Sequence, residues 1–334
     1  MSDALLEVRD LSIHFPVRTG GLFSGRTLPL KAVDGISFSV RRGETLGIVG
    51  ESGCGKSTLG RAILRLIEPT AGRVLWLGED LAALDEGAMR RHRKKMQIIF
   101  QDPLASLDPR MTVGDIIAEP LKALQPDLTK ADRRSRVRDI MERVGLSPDM
   151  INRYPHEFSG GQCQRIGIAR AMVVRPDLIV CDEAVSALDV SIQAQIVNLL
   201  MDLQAEFGLT LLFISHDLSV VRQISHRILV LYLGRVMELA DRDALYNKPA
   251  HPYTQALIRA VPVPDPAIER AKELPRLADD LPSPLDLPSG CVFRTRCPHA
   301  RDKCAAEVPA LDQIATGQAD GGHTTACHFW REIG

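Results

Sequence analysis

With 334 residues, the chain is long enough for two or three structural units. Its formal net charge of −1 provides no overall basic field, which argues against a nucleic-acid-binding protein. No apolar run approaches the roughly 18 residues that a membrane span needs, and Met1–Ala4 does not begin a signal peptide. We therefore expect a cytosolic protein that reaches a membrane only through a partner.

The first hundred residues alternate strand-like runs with turns. Pro16–Lys31 carries three glycines and predicts a loop inserted between the early strands. Thr45–Val49 predicts a short buried strand, and Leu59–Ile67 predicts a helix.

The segment between that strand and that helix, Gly50–Ser57, fits the P-loop (Walker A) pattern G-x-x-x-x-G-K-[ST]. Glycines let the backbone curl so that successive N–H groups point at phosphate oxygens, and the helix N-terminus adds partial positive charge. Lys56 is expected to reach the β- and γ-phosphates, and the Ser57 hydroxyl to ligate Mg²⁺. The flanking strand and helix argue against a chance match. The other residues expected to contact the nucleotide here are Gly50, Ser52, Gly53, Cys54, Gly55 and Thr58.

Residues 102–160 predict a mostly helical region. Val137, Ile140, Met141 and Val144 recur at helical spacing, and Gly145 is expected to end that helix. Arginines at positions 133, 134, 136 and 138 lie mostly off this face. They favour a solvated surface over a nucleic-acid patch.

Asp177–Glu183 is an apolar run that ends in two acids, which is typical of a buried parallel strand. The carboxyl end of such a strand is where an open α/β sheet binds ligands. Asp182 is expected to hold Mg²⁺ through water, and Glu183 to act as general base or water-positioning group. A plain solvated strand end is the alternative, which the upstream P-loop disfavours. Downstream we expect a helix at 191–207 and strands at 210–215 and 227–233.

Ser159–Gln162 resembles the signature of ATP-binding-cassette (ABC) ATPases. Together with the P-loop and the Asp182–Glu183 strand end, it makes residues 5 to about 255 resemble an ABC-transporter ATPase. The resemblance implies an α/β fold: a P-loop ABC ATPase core, RecA-like α/β plus an antiparallel β part, in a domain at 1–255. It also implies a helical subdomain at about 102–161 that meets the transporter's cytoplasmic loops.

The same resemblance assigns further roles. In this family the signature caps ATP bound to a facing subunit, which implicates Ser159, Gly160, Gly161 and Gln162. Gln101 matches the glutamine that senses the γ-phosphate, Mg²⁺ and the membrane partner.

Three other positions match family elements. Phe15 lies where the family stacks an aromatic ring on adenine, although a core strand residue is an equal alternative. Ser186–Asp189 matches the loop that crosses the dimer interface, with Asp189 at its end. His216 matches the switch histidine that contacts the γ-phosphate; a capped or otherwise satisfied histidine is the alternative.

The chain departs from the family pattern at two positions. Ala184 stands where proline usually follows the catalytic glutamate, which is expected to loosen a turn without removing chemistry. Cys163 replaces a basic residue of the signature, which is expected to weaken helix contacts or γ-phosphate attraction modestly and to permit oxidation if the thiol is exposed. Neither change touches the catalytic residues, so we expect an active ATPase.

The last residues, 256–334, are predicted to form a Pro-rich, Cys-containing extension. Its prolines exclude regular helix and central strand, and a disordered linker is one interpretation. However, Leu281–Pro298 resembles the C-terminal extension of oligopeptide and dipeptide importer ATPases, a family that includes nickel importers. Within that family the resemblance is closest to the second ATPase subunit of dipeptide importers.

Four of the seven cysteines lie in this extension, with spacing C-x₅-C-x₆-C-x₂₂-C: Cys291, Cys297, Cys304 and Cys327. Structural disulfides are disfavoured in a reducing cytosol, which leaves a metal site or separate buried thiols. The open spacing and the resemblance favour a structural or regulatory [4Fe-4S] cluster over zinc, which usually shows tight C-x₂₋₄-C pairs. His299, His323 and His328 are alternative ligands, although surface or capping positions are the simpler interpretation.

The resemblance implies an ATPase at the cytoplasmic face of the inner membrane, paired head to tail with a related ATPase subunit. Two transmembrane permease subunits and an extracytoplasmic binding protein complete the importer, with ATP and Mg²⁺ as cofactors. Peptides are the expected cargo, and nickel or another small solute is the alternative. A soluble ABC ATPase is disfavoured, because the chain has one cassette and no heptad repeats.

Overall fold

The computed structural model describes residues 4–19, 26–262, 265, 282–314 and 322–333. The strands in this part of the chain are β1 (Ala4–Thr19), β2 (Arg26–Arg41), β3 (Thr45–Val49), β4 (Ala71–Trp76), β5 (Glu79–Asp80), β6 (Met96–Ile99), β7 (Leu178–Asp182), β8 (Thr210–Ile214), β9 (Arg227–Tyr232), β10 (Arg235–Asp241), β11 (Asp312–Ile314) and β12 (His323–Thr325). The α-helices are α1 (Lys56–Ile63), α2 (Glu86–Arg93), α3 (Val113–Leu124), α4 (Lys130–Arg143), α5 (Gly160–Met172), α6 (Val190–Phe207), α7 (Leu218–Ile224), α8 (Arg242–Asn247), α9 (Pro252–Ala260), α10 (Asp302–Ala306) and α11 (Trp330–Ile333). None of the helices described is long and apolar enough to cross a membrane.

The chain forms two compact units. The carboxylate unit comprises Met1–Glu7, Ser39–Thr45 and Leu75–Ser215, and the P-loop unit comprises Val8–Phe38, Leu46–Val74 and His216–Gly334. These two units are defined by internal packing, and their limits differ from the domain boundary predicted at 255/256. The domain boundary itself stays a prediction.

The centre of the carboxylate unit is a parallel ladder of β6, β7 and β8. Every residue of β7 and β8 is buried, as expected for parallel strands covered on both faces. Ile99 pairs with Cys181, and Asp182 pairs with Ile214, so the three strands end at one edge. This register places the residues that follow β6 beside those that follow β7.

Helices α3, α4 and α5 pack against one another in the same unit. Residues 102–161 contain α3, α4 and short 3-10 turns but no strand, as the sequence predicts for that region, and α5 begins at its end. Thr112 and Thr129 cap α3 and α4 through hydrogen bonds to backbone N–H groups. Gly145 has φ +74° and follows α4 closely, which is the predicted helix end.

The P-loop unit contains a mixed sheet. Strand β3 pairs with β9 in parallel, and β10 pairs antiparallel with both β9 and β12. Strand β12 belongs to the C-terminal extension, so the extension adds strands to the sheet that carries the P-loop.

A buried carboxylate at the centre of β10 secures this join. Glu238 is fully buried and accepts hydrogen bonds from the backbone N–H groups of Ala250 and His251. Its Oε1 also lies 2.6 Å from Nε2 of His323. His323 is itself buried, so the surface position considered for it is wrong: it is an internal partner of Glu238. Burial lowers the pKa of His251 to about 4.

The loop predicted at Pro16–Lys31 is wrong at both ends. Strand β1 continues to Thr19 and β2 begins at Arg26, while residues 20–25 lie outside the described part. Val17, Thr19 and Thr27 favour extended backbone because they are β-branched, and the fixed φ of Pro16 is compatible with a strand. The three glycines that suggested a loop lie outside the described residues. Most of the Pro-rich stretch of the extension also lies outside the described residues.

Candidate nucleotide site and C-terminal cysteine cluster

In the P-loop unit, strand, loop and helix follow one another as the sequence predicts. Strand β3 ends at Val49, and α1 begins at Lys56, so the helix starts three residues earlier than expected. Gly55 caps the helix with φ +101°, a conformation that favours glycine. The result is a curled loop that ends at a helix N-terminus, which suits an anion.

The Lys56 side chain lies inside this loop. It is almost fully buried, and its Nζ donates to the carbonyl oxygens of Gly50 at 2.8 Å and Glu51 at 3.0 Å. Cys54 Sγ lies 3.9 Å from the same amine, and burial raises the pKa of the Cys54 thiol. The loop therefore holds a buried positive charge beside its own backbone.

A tyrosine and an arginine that the sequence analysis did not assign to the site also contact the loop. The backbone N–H of Glu51 donates to Tyr253 Oη at 3.0 Å. Arg296 Nη1 donates to both carboxylate oxygens of Glu51. Only the Arg296-Cys297-Pro298 match in the tail pointed to this segment, and it gave no indication of a loop contact.

In the carboxylate unit, the two acids follow β7 as predicted. Asp182 is buried at the strand end, and Glu183 has φ +50°, a sparsely populated conformation for a side chain of this size. Gln101 Nε2 donates to Glu183 Oε2 at 3.0 Å. The register of β6 and β7 thus brings together two residues separated by 82 positions. The turn continues with the Ser186 hydroxyl donating to the Glu183 carbonyl oxygen.

The signature segment forms the start of α5. Ser159 is the N-cap: its hydroxyl accepts from the Gln162 N–H, and Gln162 Oε1 accepts from the Ser159 N–H at 2.9 Å. Cys163 is fully buried, and its thiol donates to the Pro155 carbonyl oxygen at 3.5 Å. Burial also raises the pKa of Cys163. Oxidation of this thiol was expected only if it were exposed, and it is not.

The remaining predicted positions are on loops and strand faces. Asp189 is the N-cap residue of α6, and its carbonyl oxygen accepts from the N–H groups of Ile192 and Gln193. His216 is exposed shortly before α7. Phe15 is 36% exposed on β1, so the alternative of a core residue is wrong. The adenine-stacking assignment stays a prediction.

The four C-terminal cysteines meet at one small cavity. They line it together with His251, Phe293, His299, His328 and Phe329. Cys291 and Cys304 are buried, their segments are joined by a hydrogen bond from the Cys291 N–H to the Cys304 carbonyl oxygen, and Cys297 and Cys327 are half-buried. Burial raises the pKa of Cys291 and of Cys297 to about 11. The described residues contain no group of three or more His, Cys, Asp or Glu arranged to hold a metal ion, so the thiols share a cavity without a preformed coordination geometry.

Two regions of the chain match known families. Residues 33–186 match the ABC transporter family, and residues 237–304 match the C-terminal region of oligopeptide/dipeptide transporters. The oligopeptide transport ATP-binding protein OppF of Salmonella typhimurium is 58% identical over 92% of each chain. A probable peptide ABC transporter ATP-binding protein of Sinorhizobium fredii is 55% identical over 98% of this chain and 90% of its own.

The chain belongs to the ABC transporter ATP-binding proteins. This ABC protein is therefore an ATPase whose hydrolysis is coupled to transport, and such ATPases dimerise and work with a membrane permease. Among solved structures, the ATP-binding cassette MJ0796 in a dimeric, post-hydrolysis state bound to ADP and Pi is similar with a TM-score of 0.62 and 28% identity, over 71% of this chain and 98% of its own. The cassette cbiO1 of Clostridium perfringens gives a TM-score of 0.63 and 26% identity over 74% and 92%. These likenesses confirm the predicted fold of the ABC ATPase.

Proposed function

We propose that this chain is the ATP-hydrolysing subunit that energises a membrane importer of di- and oligopeptides. The observation that carries the cargo assignment is the match of residues 237–304 to the oligopeptide/dipeptide C-terminal region, together with relatives named for oligopeptide transport. A cassette alone, such as residues 33–186, is shared by transporters of many cargoes.

In the proposed site, the P-loop binds the triphosphate of ATP through backbone N–H groups and Lys56. Ser57, Gln101 and Asp182 hold Mg²⁺, and Glu183 activates the attacking water. The hydrogen bond from Gln101 supports this assignment because it orients the Glu183 carboxylate. The remaining contacts are those predicted above: Phe15 to adenine, His216 to the γ-phosphate, and Ser159–Gln162 with Asp189 across the dimer interface.

The proposed partner is a related ATPase subunit in a head-to-tail heterodimer. ATP trapped between the two subunits would favour the closed dimer, and hydrolysis would reopen it, which makes ATP a ligand that biases a two-state element. Closure would move two permease subunits and admit peptide from an extracytoplasmic binding protein. The chain would thus sit peripherally at the cytoplasmic face of the membrane.

Reconstitution tests the cargo. The chain, its partner ATPase and the permease subunits would be co-purified, placed in liposomes with ATP on the ATPase side, and supplied with binding protein and a labelled tripeptide. We expect ATP-dependent peptide uptake that unlabelled oligopeptides compete away and Ni²⁺ does not. Uptake of ⁶³Ni²⁺ without peptide uptake would favour the alternative cargo, and failure to co-purify with a permease would overturn the importer role.

We also propose that the four cysteines bind a [4Fe-4S] cluster, with Zn²⁺ as the alternative. Support comes from their convergence on one cavity, since four thiolates are the ligand set of such clusters. The absence of a preformed coordination geometry among the described residues means that the thiols would have to close around the metal, with loss of their protons.

Anaerobic purification of the full chain tests the cluster. We expect about four irons and four sulfides per chain with the broad visible absorbance of an iron–sulfur cluster, and loss of the iron, sulfide and absorbance in Cys297→Ser. Cys181→Ser is the matched control, because that buried thiol lies in β7 of the other unit. Stoichiometric zinc would replace the cluster with a structural zinc site, and a metal-free chain would refute both.

A further inference from the structure

The side chain of Glu51, the second residue of the P-loop, is held by the C-terminal extension. Arg296 Nη1 lies 3.0 Å from its Oε1 and 2.8 Å from its Oε2. The pair is partly shielded from water, because the side chains of Arg296 and Glu51 are only 10% and 26% exposed. Interactions between charges weaken less in such surroundings than at an open surface.

The backbone of Glu51 is held as firmly as its side chain. Its N–H donates to the hydroxyl of Tyr253, a fully buried residue of α9. Its carbonyl oxygen accepts from Lys56 Nζ at 3.0 Å. One residue therefore connects the extension, α9 and the lysine that the proposed function places on the phosphates.

Arg296 is itself fixed by an aromatic cluster. Its backbone N–H donates to the carbonyl oxygen of Phe293, which is almost fully buried. The Phe293 ring packs edge-on against Tyr232 with centroids 5.3 Å apart, and it lies tilted against Tyr253 at the same distance. The Arg296 guanidinium lies over the Tyr232 ring and donates to its hydroxyl at 3.4 Å. These contacts with the aromatic cluster fix the position of the guanidinium.

A carboxylate in a phosphate-binding loop is electrostatically unfavourable unless it is neutralised, because like charges a few ångströms apart repel strongly in a partly dehydrated site. Arg296 provides the neutralising charge and fixes the carboxylate at the same time. We propose that Arg296 is a positioning residue of the nucleotide site, through which the C-terminal extension controls ATP affinity by neutralising and holding Glu51. This inference rests on the proposed function of the P-loop and adds to it a dependence on the extension.

The test is a double-mutant cycle in the full-length chain, with the Kd for ATP measured by calorimetry without Mg²⁺ to prevent hydrolysis. Arg296→Met keeps most of the apolar stem that packs on Tyr232 and removes the charge. We expect it to raise the Kd by about 2-fold to 30-fold, the range of coupling through a residue that does not touch the ligand. Adding Glu51→Gln should return the Kd to within about threefold of the wild-type value, because the uncompensated carboxylate is then gone.

Arg301→Ala is the matched control. Arg301 is in the same extension and pairs with Glu332 at 2.6 Å while covering the Phe329 ring. Its removal should leave the Kd for ATP unchanged, which separates the charge on Glu51 from general damage to the extension. Arg296→Lys, which retains the charge, should fall between the wild type and Arg296→Met. If Arg296→Met fails to fold, Arg296→Lys and the double variant still decide the question.

Two results would overturn the inference: an Arg296→Met variant that binds ATP like Arg301→Ala, or a double variant as weak as the single one. Lys56→Ala separates this failure from failure of the proposed site. If Lys56→Ala loses ATP while Arg296→Met keeps it, only the inference about the extension fails. If Lys56→Ala binds ATP normally, the proposed nucleotide site itself is wrong.

Discussion

Glu183→Gln is expected to lower ATP hydrolysis by about 10²-fold to 10⁴-fold while leaving ATP bound. Glutamine has nearly the shape of glutamate but cannot accept a proton from the attacking water. Gln101, which donates to Glu183 Oε2, would still meet an oxygen at that position, so the turn after β7 should survive the change. Because ATP binds but is not cleaved, the closed dimer should accumulate.

The measurements are single-turnover hydrolysis, retained nucleotide and the size of the ATP-bound assembly. Glu86→Gln is a suitable control, since Glu86 belongs to the same unit and its side chain is 83% exposed. Normal turnover in Glu183→Gln would remove Glu183 from the proposed chemistry. Loss of ATP binding would instead indicate that the change disturbs the fold of the site.

Gly55→Ala is expected to abolish ATP binding and to lower the free energy of unfolding by about 2–5 kcal/mol. A Cβ at position 55 would lie 2.0 Å from the carbonyl oxygen of Ala32, and φ there is +101°. That oxygen belongs to the backbone and cannot rotate away as a side chain can. The loop would have to move, and with it the first turn of α1 that carries Lys56.

Gly35→Ala provides a control in the same unit but outside the loop. The φ of Gly35 is +72°, and a Cβ there meets no atom within 4 Å. We expect a cost of about 1–2 kcal/mol from the left-handed backbone alone, with ATP binding retained. Equal ATP affinity in the two variants, measured beside urea unfolding, would show that contact with Ala32 does not shape the site.

The local elements of this protein follow from short stretches of its sequence. Strand β3, the glycine loop and α1 follow from an apolar run, from glycines and from the lysine-serine pair, all within about twenty residues. Strand β7 could be predicted from the sequence because a strand buried on both faces is continuously apolar. The loop predicted at Pro16–Lys31 was too long, because glycines indicate a break between strands but not how far the flanking strands extend.

Contacts between residues far apart in the sequence follow instead from the packing of the whole chain. Arg296 and Glu51 are 245 positions apart, and nothing local to either predicts the pair. The sequence shows that the extension contains four cysteines, but only the folded structure shows that all four line one cavity. Packing also places the buried His323 beside Glu238, because burying a carboxylate costs free energy unless the carboxylate has a hydrogen-bond partner. Contacts of this kind depend on how elements pack, a property of the whole chain, whereas motifs depend on the chemistry of a few neighbouring residues.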